Sequence, residues 1–106
     1  MITIEDFQKL DIRIGKVLSA EKVEGTDKLI KLEIDFGAKK RQVVTGMAEF
    51  FASDYFIGKQ IPVIVNLEPR TLKGIESQGM ILAANAEGKP VLLRPEKEVP
   101  LGSVIR

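Results

Sequence analysis

Residues 28–36 constrain the fold of this chain more than any other stretch. Ile30, Leu32 and Ile34 alternate with Lys31, Glu33 and Asp35. A period of two places the apolar set on one face of a strand and the charged set on the other. Turn-forming residues bound the segment on both sides, at 24–27 and 37–40, and residues 41–45 read as a further strand. Residues 11–23 read as a long first strand, with Ile12 and Ile14 alternating with Arg13. The alternation falters after Gly15, through Lys16, Val17 and Leu18. A glycine at such a break predicts a bulge or a sharp bend. The three strands form a meander whose first member curls, as small barrels require.

Residues 47–58 abandon the period of two. Phe50, Phe51, Tyr55 and Phe56 gather there, with Ser53 or Asp54 as a cap and Gly58 as a stop. The spacing predicts one or two helical turns over a barrel end, with the rings in the core rather than serving as a base-stacking platform. Residues 59–67 form a fourth strand, apolar on both faces, and residues 78–84 a fifth. Pro90, Pro95 and Pro100 exclude a helix from the last part and leave short extended segments at 91–93 and 103–105. At the start, Thr3 and Asp6 fit a capping box for a helix over 3–10, with Ile4, Phe7 and Leu10 on one side. Three strands, a short helix and two strands is the order of an OB-fold, a mainly β, five-stranded Greek-key barrel. One domain over 1–106 is expected. The extra helix, the extra C-terminal strands and the double apolar face of strand four point to a second buried surface, most simply a homodimer.

The composition removes whole classes of function. The chain has no cysteine and no histidine. Disulfides, thiol nucleophiles and the usual structural zinc sites are excluded, and the commonest general acid/base at neutral pH is missing. Carboxylate pairs such as Asp11 with Asp35, or Glu96 with Glu98, show no catalytic spacing. Dinucleotide and P-loop glycine patterns are absent. No enzyme, cofactor or metal is expected. A net charge of +1 gives no bulk support to nucleic-acid binding, so cations must gather locally. No apolar run approaches the ~18 residues of a membrane span. The first residues lack a signal-peptide pattern, so a cytoplasmic location without membrane association is expected.

The segment 66–84 carries the functional signal. It contains Glu68-Pro69, the cations Arg70 and Lys73, and the polar pair Ser77 and Gln78 between Gly74 and Gly79, followed by Met80. A glycine-flanked loop of this kind presents backbone donors to phosphates or base edges. Met80 adds an adaptable apolar surface. Asn66 either caps strand four or points into the same cleft. Lys31 with Glu33, on the outer sheet face, reads first as a solvated pair and second as a nucleic-acid contact, whereas the Lys39-Lys40-Arg41 cluster reads equally as a phosphate site or as solvated charges.

Six segments occur in an order that resembles a known family. They are Asp11-Ile12-Arg13-Ile14-Gly15-Lys16-Val17, Asp27-Lys28-Leu29, Asp35-Phe36-Gly37, Val43-Val44-Thr45-Gly46, Asn66-Leu67-Glu68-Pro69-Arg70 and Gly74-Ile75-Glu76-Ser77-Gln78-Gly79-Met80. They are similar to the tRNA-binding domain of the EMAP-II type. That domain is appended to many methionyl-tRNA synthetases and also stands alone. The resemblance implies an OB-fold homodimer that binds folded tRNA by shape, assists an aminoacyl-tRNA synthetase in cis or in trans, and catalyses nothing. It implies contacts from Ser77, Gln78 and Met80, with Asn66, Arg70 and Lys73 beside them and Lys31 and Arg41 on the sheet face. A secretion-chaperone-like relative implies a second possibility, a protein-binding module. Where many relatives carry His-Pro before the Asp-x-Leu turn, this chain has Glu24-Gly25, so any contact from that histidine is absent.

Overall fold

The computed structural model describes residues 1–106. The meander consists of β1 (Ile12–Lys22), β2 (Ile30–Asp35) and β3 (Lys40–Thr45). β2 pairs antiparallel with both neighbours. Ile30, Leu32 and Ile34 are fully buried, as the alternation predicts. β4 (Gln60–Ile64) takes the other edge of β1 and is followed after a long excursion by β7 (Met80–Ile81), in the order β3-β2-β1-β4-β7. A two-stranded hairpin, β5 (Arg70–Leu72) with β6 (Ile75–Ser77), fills the excursion. A second hairpin, β8 (Ala83–Ala86) with β9 (Lys89–Leu92), follows β7, and β10 (Val104–Ile105) ends on β1. The result is a curled, OB-type sheet around a core that includes Val17, Leu32, Val43, Phe56, Ile61 and Val63. Each such side chain contributes roughly 1.5–3 kcal/mol on burial.

Several expectations need correction. The register shift in β1 falls between Val17 and Ser19, not at Gly15. Gly15 serves close packing instead, since a Cβ there would lie 2.7 Å from the Phe36 ring. All five β4 residues are buried within a single chain. The Gln60 amide exchanges hydrogen bonds of 2.8 and 3.0 Å with the Val99 backbone, so the C-terminal segment covers that strand. Its double apolar face therefore requires no partner. The fifth strand is not one run over 78–84 but β7 and β8, which belong to different sheets.

A further correction concerns the aromatic residues. Ser53–Phe56 form a short 3-10 helix, and Phe56 is fully buried. Phe51 stacks on Tyr55 at 4.6 Å and meets Phe56 edge-on at 5.6 Å. Phe50 and Tyr55, however, are about half exposed and are not core residues. At the N-terminus the capping box between Thr3 and Asp6 forms, but helix α1 is only Ile4–Phe7 and buries nothing.

Candidate nucleic-acid interface

The segment that reads as a loop in sequence is a hairpin. Arg70 stands opposite Ser77, and Leu72 opposite Ile75. Lys73 and Gly74 make the turn with φ of 51° and 78°. Positive φ at both central residues matches the right-handed twist of the two strands, and glycine at the second place makes it accessible. The hairpin holds Arg70 and Lys73 in solvent, where neither forms an ion pair.

Ser77 and Gln78 are the hinge between this hairpin and the barrel. An OB barrel closes between its third and fifth strands; here polar side chains make that closure. The Ser77 hydroxyl accepts from the Val44 amide at 2.9 Å and donates to the Gly79 carbonyl at 3.0 Å. The Gln78 amide donates to the Gln42 carbonyl at 2.8 Å, and the Gln78 side-chain oxygen accepts from the Gln42 amide at 3.2 Å. Gln42 answers by donating its side-chain amide to the Glu76 carbonyl at 2.8 Å. The free edge of β3 is thus satisfied. Ser77 is 5% exposed, so it is a wall of the site and not a group held out to a ligand. Gly79 allows the approach, because a Cβ there would come within 2.9 Å of the Ile64 carbonyl.

The placement of Arg41 also needs correction. It stands opposite Ile34, on the core side of β3, and not on the outer sheet face. Its guanidinium donates to the Val65 carbonyl at 2.7 Å and the Gln78 carbonyl at 3.2 Å. It therefore positions the seam. Asn66 takes the capping alternative: it accepts from the Asp11 amide and donates to the Lys9 carbonyl, both at 2.8 Å. This ties the N-terminal segment to the end of β4. Lys31 does lie on the outer face, but it pairs with Glu21 at 2.7 Å. Its surroundings form a groove of about 310 Å³ with Ser19, Glu33, Lys40 and Gln42. Lys16 and Lys40 both stand opposite Asp35, so the outer face carries balanced charge.

Met80 remains open, at 44% exposed. Together with Val44, Leu67, Arg70, Leu72 and Ser77 it lines a small cleft of about 50 Å³. The structure thus brings Met80, Arg70 and the Ser77 wall together, with Lys73 at the tip of the hairpin. It sets Asn66 and Lys31 elsewhere. Gln42 was missed by sequence reasoning: nothing in an ordinary strand glutamine signals that it pairs with a loop 36 residues away.

The chain is a small OB-type barrel that presents a cation-bearing hairpin beside an exposed thioether. The family model described as "Putative tRNA binding domain" matches residues 12–104, and the chain belongs to that tRNA-binding family. It is 58% identical over 102 residues to a methionine–tRNA ligase of Archaeoglobus fulgidus, covering 96% of this chain and 16% of that protein. It is 51% identical over 104 residues to the corresponding ligase of Caldanaerobacter subterraneus, again spanning 16% of its length. The chain therefore spans about one sixth of these relatives. Among solved structures it resembles a protein described as related to methionyl-tRNA synthetase from Pyrococcus horikoshii, with a TM-score of 0.96 and 39% identity, covering 100% of this chain and 98% of that one. It also resembles the chaperone CsaA of Bacillus anthracis, with a TM-score of 0.90 and 37% identity, covering 100% and 99%. No helix is long and apolar enough to cross a membrane.

Proposed function

We propose that this domain recognises folded tRNA by its shape and phosphates and assists a methionyl-type aminoacyl-tRNA synthetase, joined to it or acting in trans, without catalysis of its own. The observation that carries this reading is the hairpin, which sets Arg70 and Lys73 in solvent beside exposed Met80 on a seam held by the Ser77 and Gln78 hydrogen bonds. Cations meet phosphates, and the thioether lies against a sugar or base edge. Ser77, Gln78 and Arg41 act by holding that arrangement. The work is placed in the cytoplasm, where synthetases and their tRNAs meet.

The domain is further read as a homodimer. Ile2 and Ile4 near the N-terminus, and Leu93, Val104 and Ile105 near the C-terminus, are exposed apolar residues. The last three line a groove of about 350 Å³ with Ile14, Pro62 and Val99. Two copies would double the binding patches and raise affinity through avidity. Sedimentation as a monomer at micromolar concentration would refute the dimer.

Filter binding against folded tRNA, unfolded tRNA and an unfolded polypeptide tests the central reading. Salt-sensitive preference for folded tRNA is expected. Equal binding of folded and unfolded RNA would remove shape recognition. Preference for the polypeptide would favour a chaperone-like module, the reading that the similarity to CsaA supports.

A further inference from the structure

Phe50 is the aromatic residue of the 47–58 segment that the fold leaves unused. Phe51, Tyr55 and Phe56 engage one another, and the Lys59 ammonium lies 4.0 Å from the Tyr55 ring centroid. Phe50 joins none of these contacts and is 46% exposed. Its ring borders a cleft of about 360 Å³ between the turn after β3 and the β8–β9 hairpin. Met47 flanks it, and Asn85 and Lys89 border it from the hairpin, where consecutive cross-strand pairs set them on alternate faces. The Asn85 side-chain oxygen accepts from the Gly88 amide at 2.7 Å, which leaves its NH₂ group without a partner in the chain. Lys89 forms no ion pair. No carboxylate lines the cleft; Glu49 and Glu87 are exposed neighbours in sequence and stand outside it.

We propose that this cleft is a nucleotide slot, in which an unstacked base of the bound RNA lies on Phe50, the Asn85 amide meets the base edge and Lys89 meets the phosphate. The size falls within the about 300–1,000 Å³ of small-ligand sites. An aromatic face, a free amide and an unpaired ammonium without opposing carboxylates are the groups that hold a single unpaired nucleotide. Both walls of the slot lie close in sequence to the interface already described. Thr45, on one wall, follows Val44, whose amide Ser77 holds; Ala83, on the other, lies two residues beyond Ile81 and three beyond Met80. An RNA held at Met80 would follow these walls to reach Phe50. The inference rests on the tRNA reading and adds to it a second contact, to a base instead of the backbone.

The test is tRNA affinity of Phe50→Ala, Phe50→Tyr and Lys89→Gln, with Met80→Ala as comparison and thermal melting as the fold control. Phe50→Ala is expected to weaken binding about 5- to 100-fold, the range for loss of one stacked base, and Phe50→Tyr to restore it. Lys89→Gln is expected to lower the salt slope of binding by about 1. If wild type binds tRNA and Phe50→Ala binds as tightly, the slot fails and the tRNA reading stands. Equal losses in Phe50→Ala and Phe50→Tyr also overturn the stacking role. A wild-type domain that binds no tRNA removes both. Should Phe50→Ala fail to fold, an unchanged salt slope in Lys89→Gln overturns the slot on its own.

Discussion

The Ser77 hydroxyl lies 2.9 Å from the Val44 amide nitrogen and accepts its hydrogen bond at a place where both residues are less than a tenth exposed. Replacing Ser77 by alanine strands that amide, at a cost of about 1–3 kcal/mol. Chemical denaturation of Ser77→Ala is expected to show this loss, and tRNA binding to weaken because Gly79 and Met80 are no longer held. Met80→Ala is expected to weaken binding without the stability loss, since its side chain is exposed. Equal stability of Ser77→Ala and wild type would mean that the seam is not the barrel's closure.

Lys73 separates turn geometry from charge. Its φ of 51° suits asparagine better than lysine, and Asn-Gly is the preferred pair for this turn. Lys73→Asn should leave the domain at least as stable as wild type. The slope of log affinity against log salt should nevertheless fall by about 1, because one phosphate contact is lost. An unchanged slope would place Lys73 away from the RNA.

Gly15 tests the packing of the core against the first strand. A Cβ at this position would press on the Phe36 ring at 2.7 Å. Gly15→Ala is expected to destabilise by about 1–3 kcal/mol through overpacking. Gly46→Ala makes a matched control, since no atom lies within 4 Å of a Cβ there. Similar melting temperatures for the two variants would contradict the close approach.

Asp6 gives a pH signature confined to helix α1. Its bond from the Thr3 backbone amide, with a smaller contribution from Lys9, holds its pKa below the ordinary 3.8. A lowered folded-state pKa gives stabilisation that is present above the unfolded value and lost as pH falls through the folded one. Helical shifts of Ile4–Phe7 in an NMR titration should therefore begin to weaken as pH falls below about 3.8 and fade as it passes through the lower folded-state value. Because α1 buries nothing, the barrel should remain folded through that step. Loss of the helix already at pH 5 would assign its stability to another group.

The periodic elements were legible in the sequence because each carries its own signal. Ile30, Leu32 and Ile34 declare their face by alternation, and Thr3 with Asp6 declares a cap by spacing. The seam was not legible. Ser77 and Gln78 look like groups offered to a ligand because their partners, Val44 and Gln42, lie more than 30 residues away. Arg41 misled for the same reason: a run of three cations at a turn hides that the third points inward to the Val65 carbonyl. Met80, Arg70 and Lys73 were correctly read as exposed, since nothing long-range claims them. The β5–β6 hairpin escaped notice because three-residue strands are too short to show a period.

The outer face of β1–β3 sets Lys31 against Glu21, and Lys16 and Lys40 against Asp35. Such a face adds little to the long-range field that draws a polyanion in. On the reading proposed above, encounters with RNA would gain scant speed from attraction at a distance, and strands without the right contour would find nothing to linger on. What such a domain would forgo in capture rate would return as short dwell times on the wrong molecules, so that discrimination would reside in how long a complex lasts.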